Sequence, residues 1–114
     1  MSENEILLVL REILKWVKFI GWRYVKDVLI DVLDTDTAKL VYHHSDGKTL
    51  KEIAELVGIS RESVRYYWKK WQRLGIVDTV RVRGGIRCVR LFDLEELGIP
   101  IPSINEVKKM REEK

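Results

Sequence analysis

The stretch that decides the fold is Thr49–Leu91, TLKEIAELVGISRESVRYYWKKWQRLGIVDTVRVRGGIRCVRL. Its apolar spacing changes partway from a helical period to a period of two, so it reads as helices followed by a hairpin. Thr49 with Glu52 three residues on matches a capping box, in which each side chain satisfies the other's free backbone N–H. Leu50, Ile53, Ala54 and Val57 then make one buried face, and Gly58 ends the helix by taking a left-handed conformation. Ser60 caps the next helix, 60–74. On it Val64, Tyr67, Trp68, Trp71 and Leu74 share a face, while Arg65, Tyr66, Lys69, Lys70 and Arg73 lie opposite. Gly75 stops that helix, and Ile76-Val77 begins extended structure.

From Val80 the pattern alternates. Gly84-Gly85 suits a two-residue turn, because both positions need positive φ. That register pairs Arg83 with Ile86, Val82 with Arg87, Arg81 with Cys88 and Val80 with Val89. It assigns Val80, Val82, Val89 and Leu91 to the core face and Arg81, Arg83 and Arg90 to the other, with Arg87 near the tip. Cys88 is expected on the outward face beside Arg81, Arg87 and Arg90; arginines there can lower a thiol's pKa and make a redox sensor, but a passive cysteine is the preferred reading.

Charge is unevenly spread. Between Ser60 and Leu91 there are nine Lys/Arg and two acids, a surplus of seven; the remainder carries twelve bases and sixteen acids. The formal net charge of +3 therefore hides a basic module on an acidic body, and such asymmetry points to a polyanionic partner, nucleic acid above all.

Upstream, Ile6, Leu10, Ile13, Val17, Ile20 and Tyr24 step by four and three, one stripe of a helix over residues 4–33. Asp27 and Asp31 fall where the stripe would continue, and Val25, Val28, Leu29 and Val32 supply a shifted face. Gly21 lies near the change, so the segment reads as one long bent helix or as two. Leu7, Leu8, Leu14, Trp16, Phe19 and Trp22 broaden the stripe beyond what one covering partner needs. A second copy of the chain is the simplest cover, which makes Ile6, Leu10, Ile13, Val17, Ile20 and Tyr24 the candidate dimer interface; the alternative is that the helix wraps the chain's own core. Between this segment and Thr49, Asp34-Thr35-Asp36 is cap chemistry for a short helix ending about His44, and Ser45-Asp46-Gly47 is a turn. Downstream, Asp93–Leu97 reads as a helical turn, Pro100 and Pro102 force an extended strap, and Ser103, with Glu106 three on, caps a last helix towards Lys114.

A chain of 114 residues is one domain with an appended helix. One cysteine excludes an internal disulfide and a zinc-binding cysteine cluster. Glu3, Glu5 and Arg11 interrupt any apolar run that would read as a signal peptide, and no uncharged apolar stretch is long enough to span a bilayer, so the cytoplasm is the expected compartment. Asn and Gln are scarce (Asn4, Asn105 and Gln72) beside abundant Lys, Arg and Glu, a pattern of heat-adapted proteins. His43 and His44 are adjacent, are expected to point apart on a helix, and lack a third ligand, so no metal site is expected. No catalytic constellation and no glycine-rich phosphate loop is present; the chain does not read as an enzyme, and no cofactor is expected.

Helix, helix, turn, helix, hairpin is the order of a winged helix-turn-helix. Ile53-Ala54-Glu55-Leu56-Val57-Gly58-Ile59-Ser60 resembles the first helix and turn of bacterial and archaeal regulators. Ser60, Val64, Trp71, Gly75 and Val77 sit where such families place cap, core, core, stop and first strand. Over residues 35–92 the chain is similar to MarR- and ArsR-like archaeal transcription regulators. The fold class expected is mainly α with a small β-hairpin, α+β. An N-terminal helical dimerisation segment (1–33) would precede a winged helix-turn-helix (34–92), with a strap and short helix (93–114) after it.

The resemblance implies a dimeric, sequence-specific regulator that binds double-stranded DNA. Helix 60–74 would enter the major groove and wing 78–91 would flank it. Arg61, Ser63, Arg65 and Tyr66 would face base edges and Ser60 and Lys69 phosphates, while Lys70, near the helix end, reads equally as a DNA contact or as a solvated residue suited to the helix dipole. Arg81, Arg83, Arg87 and Arg90 belong to the wing. Two other uses of the same residues are a winged-helix module that docks protein in a larger complex, and a helix that attaches to a membrane surface through the basic, Trp-rich stretch Lys15–Arg23.

Overall fold

The computed structural model describes residues 2–107. Four helices precede one hairpin: α1 (Glu3–Val32), α2 (Asp36–His44), α3 (Leu50–Val57), α4 (Arg61–Leu74), β1 (Val77–Val82) and β2 (Gly85–Arg90). The chain divides into two compact units at Val32/Leu33. The first unit is α1, a single 30-residue helix that runs unbroken through Gly21, which decides between the one-helix and two-helix readings. Its residues from Ile6 to Ile20 are exposed, whereas Val25, Val28 and Val32 are partly shielded and Leu29 is buried.

The second unit is built from the local signals of the sequence. Thr35 caps α2, accepting from the Ala38 N–H at 3.1 Å. Thr49 and Glu52 form both arms of the capping box on α3, and Gly58 closes it at φ 80°. Ser60 caps α4 by accepting from the Ser63 N–H, and Gly75 closes it at φ 75°. Ala38, Leu40, Val41, Ile53, Val57, Val64, Trp68 and Trp71 form the core between these helices. Beyond the hairpin, Leu94, Leu97 and Ile99 are buried in a turn closed by the Ile99 N–H donating to the Leu94 carbonyl at 2.8 Å. Residues 104–107 are helical; the rest of the expected last helix lies outside the described residues.

Two side chains, Tyr42 of α2 and Ser45 at its C-cap, hold the unit together. The buried Tyr42 hydroxyl donates to the Ile76 carbonyl at 2.8 Å and accepts from the Phe92 N–H at 3.3 Å, tying α2 to the residue before β1 and to the chain leaving β2. Burial pushes the Tyr42 pKa up to about 12, so the phenol stays protonated and remains a donor. Its ring meets Trp71 edge-on, centroids 5.3 Å apart, and Tyr67 stacks on the same Trp71 at 5.2 Å. One turn later the Ser45 hydroxyl, also buried, donates to the Val41 carbonyl at 2.7 Å and accepts from the Trp68 indole N–H at 3.1 Å. The Ser45 carbonyl accepts from the Arg90 N–H at 2.6 Å. Asp46 adds a single bridge to Val89, a one-residue third edge on the hairpin.

The hairpin departs from the sequence reading in three ways. Its register is Val82 with Gly85, Arg81 with Ile86, Val80 with Arg87, Thr79 with Cys88, Asp78 with Val89 and Val77 with Arg90. The turn is therefore Arg83-Gly84, and Gly84 takes the left-handed position at φ 100°. A slip of two residues preserves the faces, but the face assigned to the core is the wrong one. Val80 and Val82 are 44% and 37% exposed, Leu91 is exposed and Val89 only half-buried, while Val77 and Cys88 are buried. Only the base of the hairpin rests on the helices. There Ile76 and Val77, following directly on Gly75, determine which side turns inward. Leu74, read as a core residue, is likewise exposed at the end of α4.

Removing the Tyr42 hydroxyl strips the half-buried Phe92 N–H of its partner while the Ile76 carbonyl keeps the Leu91 N–H. Tyr42→Phe is expected to cost about 1–2 kcal/mol, read as a lower denaturation midpoint with unchanged m-value in urea.

Candidate nucleic-acid interface

The first turn of α4, the start of α3 and the wing tip surround one open groove of about 320 Å³, lined by Thr49–Lys51, Arg61, Arg65 and Val82–Arg87. Five of these residues are cationic, Lys51, Arg61, Arg65, Arg83 and Arg87, and none is acidic. Val82 and Ile86 supply an apolar part of the wall. Arg61 and Arg65 stand one helical turn apart on one side of α4, so the cap at Ser60 determines where both begin. Gly84 lets the wing turn within two residues and brings Arg83 to its tip.

The arginines differ in what holds them. Arg61 and Arg83 are exposed. Arg65 is paired with exposed Glu62 three residues before it, and an exposed pair of this kind contributes at most about 1 kcal/mol, so a phosphate can displace the carboxylate. Arg87 is half-buried and its guanidinium donates to the Gly47 carbonyl at 3.1 Å. Arg90 is half-buried at the wing base and donates to the His43 carbonyl at 2.6 Å. Arg90 thus fastens the hairpin to the end of α2 and does not line the groove. Arg81 is exposed on the wing outside the groove wall.

On α4, Tyr66 is 65% exposed, with its ring 6.1 Å from that of Tyr67. Lys69 and Lys70 are exposed further along the helix, beyond the groove. The Ser60 and Ser63 hydroxyls lie 2.9 Å apart and share the cap, so their first duty is to the helix start. The sequence reading missed Lys51. Its position, two residues after a helix cap and beside Lys48, was the available signal for a cation at a helix start.

Cys88 does not face the arginines from outside. It is buried, burial pushes its thiol pKa up, and its sulfur accepts from the Gln72 amide at 3.6 Å. Burial favours the neutral thiol, opposite to what a reactive cysteine needs. The His43 and His44 rings do not point apart but meet edge-on at 5.0 Å. Burial lowers the His44 pKa. Among the described residues no group of three His, Cys, Asp or Glu could hold a metal ion. No described helix is long and apolar enough to cross a membrane.

Residues 38–85 match a helix-turn-helix domain model. That span runs from α2 through the wing turn and so contains the α3–α4 pair and the groove lining except Ile86 and Arg87. No curated protein and no solved structure matches the chain. The helix-turn-helix domain, followed by a two-strand antiparallel hairpin, makes the fold mainly helical α+β, and it points to DNA as the partner. Within the domain, α3 and Gly58-Ile59-Ser60 are the first helix and turn, and α4 is the second helix, whose N-terminal residues such domains present to base edges.

Arg90 and Arg83 separate the structural from the available arginines. Arg90→Ala is expected to lower unfolding free energy by about 1–2 kcal/mol through the lost bond to the His43 carbonyl, whereas Arg83→Ala leaves it within about 0.5 kcal/mol. Thermal or urea denaturation of the two variants checks the contrast.

Proposed function

We propose that the protein binds double-stranded DNA in a sequence-dependent way through this groove, as a dimeric regulator of transcription. The observation that carries the reading is the convergence of Lys51, Arg61, Arg65, Arg83 and Arg87 from three elements around one concave surface. A helix fits the major groove of B-DNA, and its first turns reach the base edges. Arg61 and Arg65 occupy those turns, and an arginine that makes two bonds to guanine discriminates by about 1–3 kcal/mol. Tyr66 beside them is available to stack on a sugar or a base. Lys69 and Lys70 follow the same helix towards the phosphates, and Lys51 reaches the backbone from the start of α3.

The wing supplies the second contact. Arg83 at its tip, with Arg81 on the strand behind it, suits the backbone or the minor groove beside the site filled by α4. The roles of Arg87 and Arg90 are positional in this reading. Each holds the wing to the α2–α3 turn by a backbone carbonyl, so the angle between wing and α4 is preset before DNA arrives. The exposed stripe of α1 joins two copies, and their paired α4 helices then address half-sites about 34 Å apart, one helical turn of DNA.

Two results test the surface. Binding to random duplex DNA should weaken with a slope of log K against log salt of roughly −4 to −5, as Lys51, Lys69, Lys70, Arg81 and Arg83 displace counterions from the backbone. Arg65→Ala combined with Arg83→Ala should lower affinity at least tenfold at low salt in a gel shift, with the fold intact by circular dichroism. Unchanged binding by the double variant places the DNA surface elsewhere.

A further inference from the structure

On α4, Glu62, Tyr66, Lys69 and Arg73 step by four, three and four, so they form one stripe. All four are exposed. The stripe lies opposite Val64, Trp68 and Trp71, which are buried. It is therefore the side of α4 that leads when this helix enters a groove. Glu62 stands at the N-terminal end of the stripe, with 81% of its side chain open to solvent. From Ser60 to Val77 it is the only acid, among Arg61, Arg65, Lys69, Lys70 and Arg73. A surface that did no more than grip phosphates would be stronger without it, because a carboxylate repels the backbone. Glu62 is also paired with Arg65, so this acid is held beside an arginine of the groove wall.

An ionised carboxylate only accepts hydrogen bonds, so what receives it must donate. In the major groove the amino donors are cytosine N4 and adenine N6. Adenine sets its N7 acceptor beside that amino group, which repels a carboxylate; cytosine has no acceptor there. Arg65, which only donates, suits the two acceptors of guanine, O6 and N7. Residues three apart on a helix have Cβ atoms about 5–6 Å apart, comparable with the roughly 3.4 Å step between stacked bases. The linked pair thus matches two adjoining base pairs. We propose that Glu62 is a specificity-determining residue, its carboxylate accepting from a cytosine amino group next to the guanine that Arg65 reads. The inference rests on the reading that α4 enters the major groove, and it names the base step selected there. Glu62 weakens binding to duplexes in general and raises the penalty for a wrong base.

Selection of bound sequences from a random duplex library, with the full chain and with Glu62→Gln, tests it. The wild type is expected to enrich a cytosine beside a guanine. An amide both accepts and donates, which suits adenine N7 and N6. Glu62→Gln is therefore expected to move that cytosine to adenine and leave the neighbouring guanine in place. Replacing the cytosine by adenine in the preferred duplex should weaken wild-type binding at least roughly fivefold and should not weaken binding by Glu62→Gln. Position 62 is exposed, so the variant should keep wild-type helix content by circular dichroism; the altered duplex tests the wild type without any variant. Uniformly tighter binding by Glu62→Gln with unchanged base preference overturns the proposal, as does a wild-type site that lacks the cytosine. Failure of the wild type to bind any duplex overturns the DNA reading as well, so the two failures are distinguishable.

Discussion

The buried hydrogen bonds of Tyr42 and Ser45 are the constraint on which the rest of the second unit depends. Tyr42 lies in the last turn of a helix of only nine residues and Ser45 caps its end, and between them they hold α4, both ends of the hairpin and the segment after it. Tyr42 ties the chain at Ile76 and Phe92; Ser45 ties Trp68 of α4 and the backbone of Arg90. A hairpin of two strands is marginal by itself. Here it stands because its base is bonded to a buried hub while its outer half projects into solvent. The bonds from Tyr42 to Ile76 and from Trp68 to Ser45 are buried, so leaving a partner unpaired there is costly, and the wing has one well-defined seat.

That seat sorts the basic residues. A surplus of seven positive charges between Ser60 and Leu91 looks uniform in sequence, yet the structure divides it into groups with different duties. Arg87 and Arg90 spend their guanidinium bonds on the carbonyls of Gly47 and His43. Arg61, Arg65 and Arg83 keep theirs for a ligand or for an exposed carboxylate that a ligand can replace. Lys51 joins them from a helix outside the charged stretch. The resulting groove is smaller than the charge count implies and more exact in its geometry, because the tied arginines fix where the free ones stand.

Helix starts and stops were legible because their chemistry is local. Thr35, Thr49 and Ser60 cap through a side chain three residues from its partner, and Gly58 and Gly75 close helices by a backbone conformation that glycine adopts freely. The faces of α3 and most of α4 followed from spacing alone. The wing was harder for a physical reason. Its valines alternate as a core face would, but burial there is decided by which strand end touches the helices, and Val77 and Cys88 do so while Val80 and Val82 do not. Leu74 misled in the same way, as an apolar residue in step with the core but past its edge. The hub at Tyr42 and Ser45 left no periodic signal, since its partners are 23 to 50 residues away, and Lys51 entered the groove only through the packing of α3 beside the wing.

The central claim is that DNA occupies the groove between α4, the start of α3 and the wing tip. Amide hydrogen exchange with and without duplex DNA tests it most directly. Protection should appear at 49–51, 61–66 and 82–87, with α1 unchanged. Protection confined to α1, or none at the wing tip and the first turns of α4, would contradict the account.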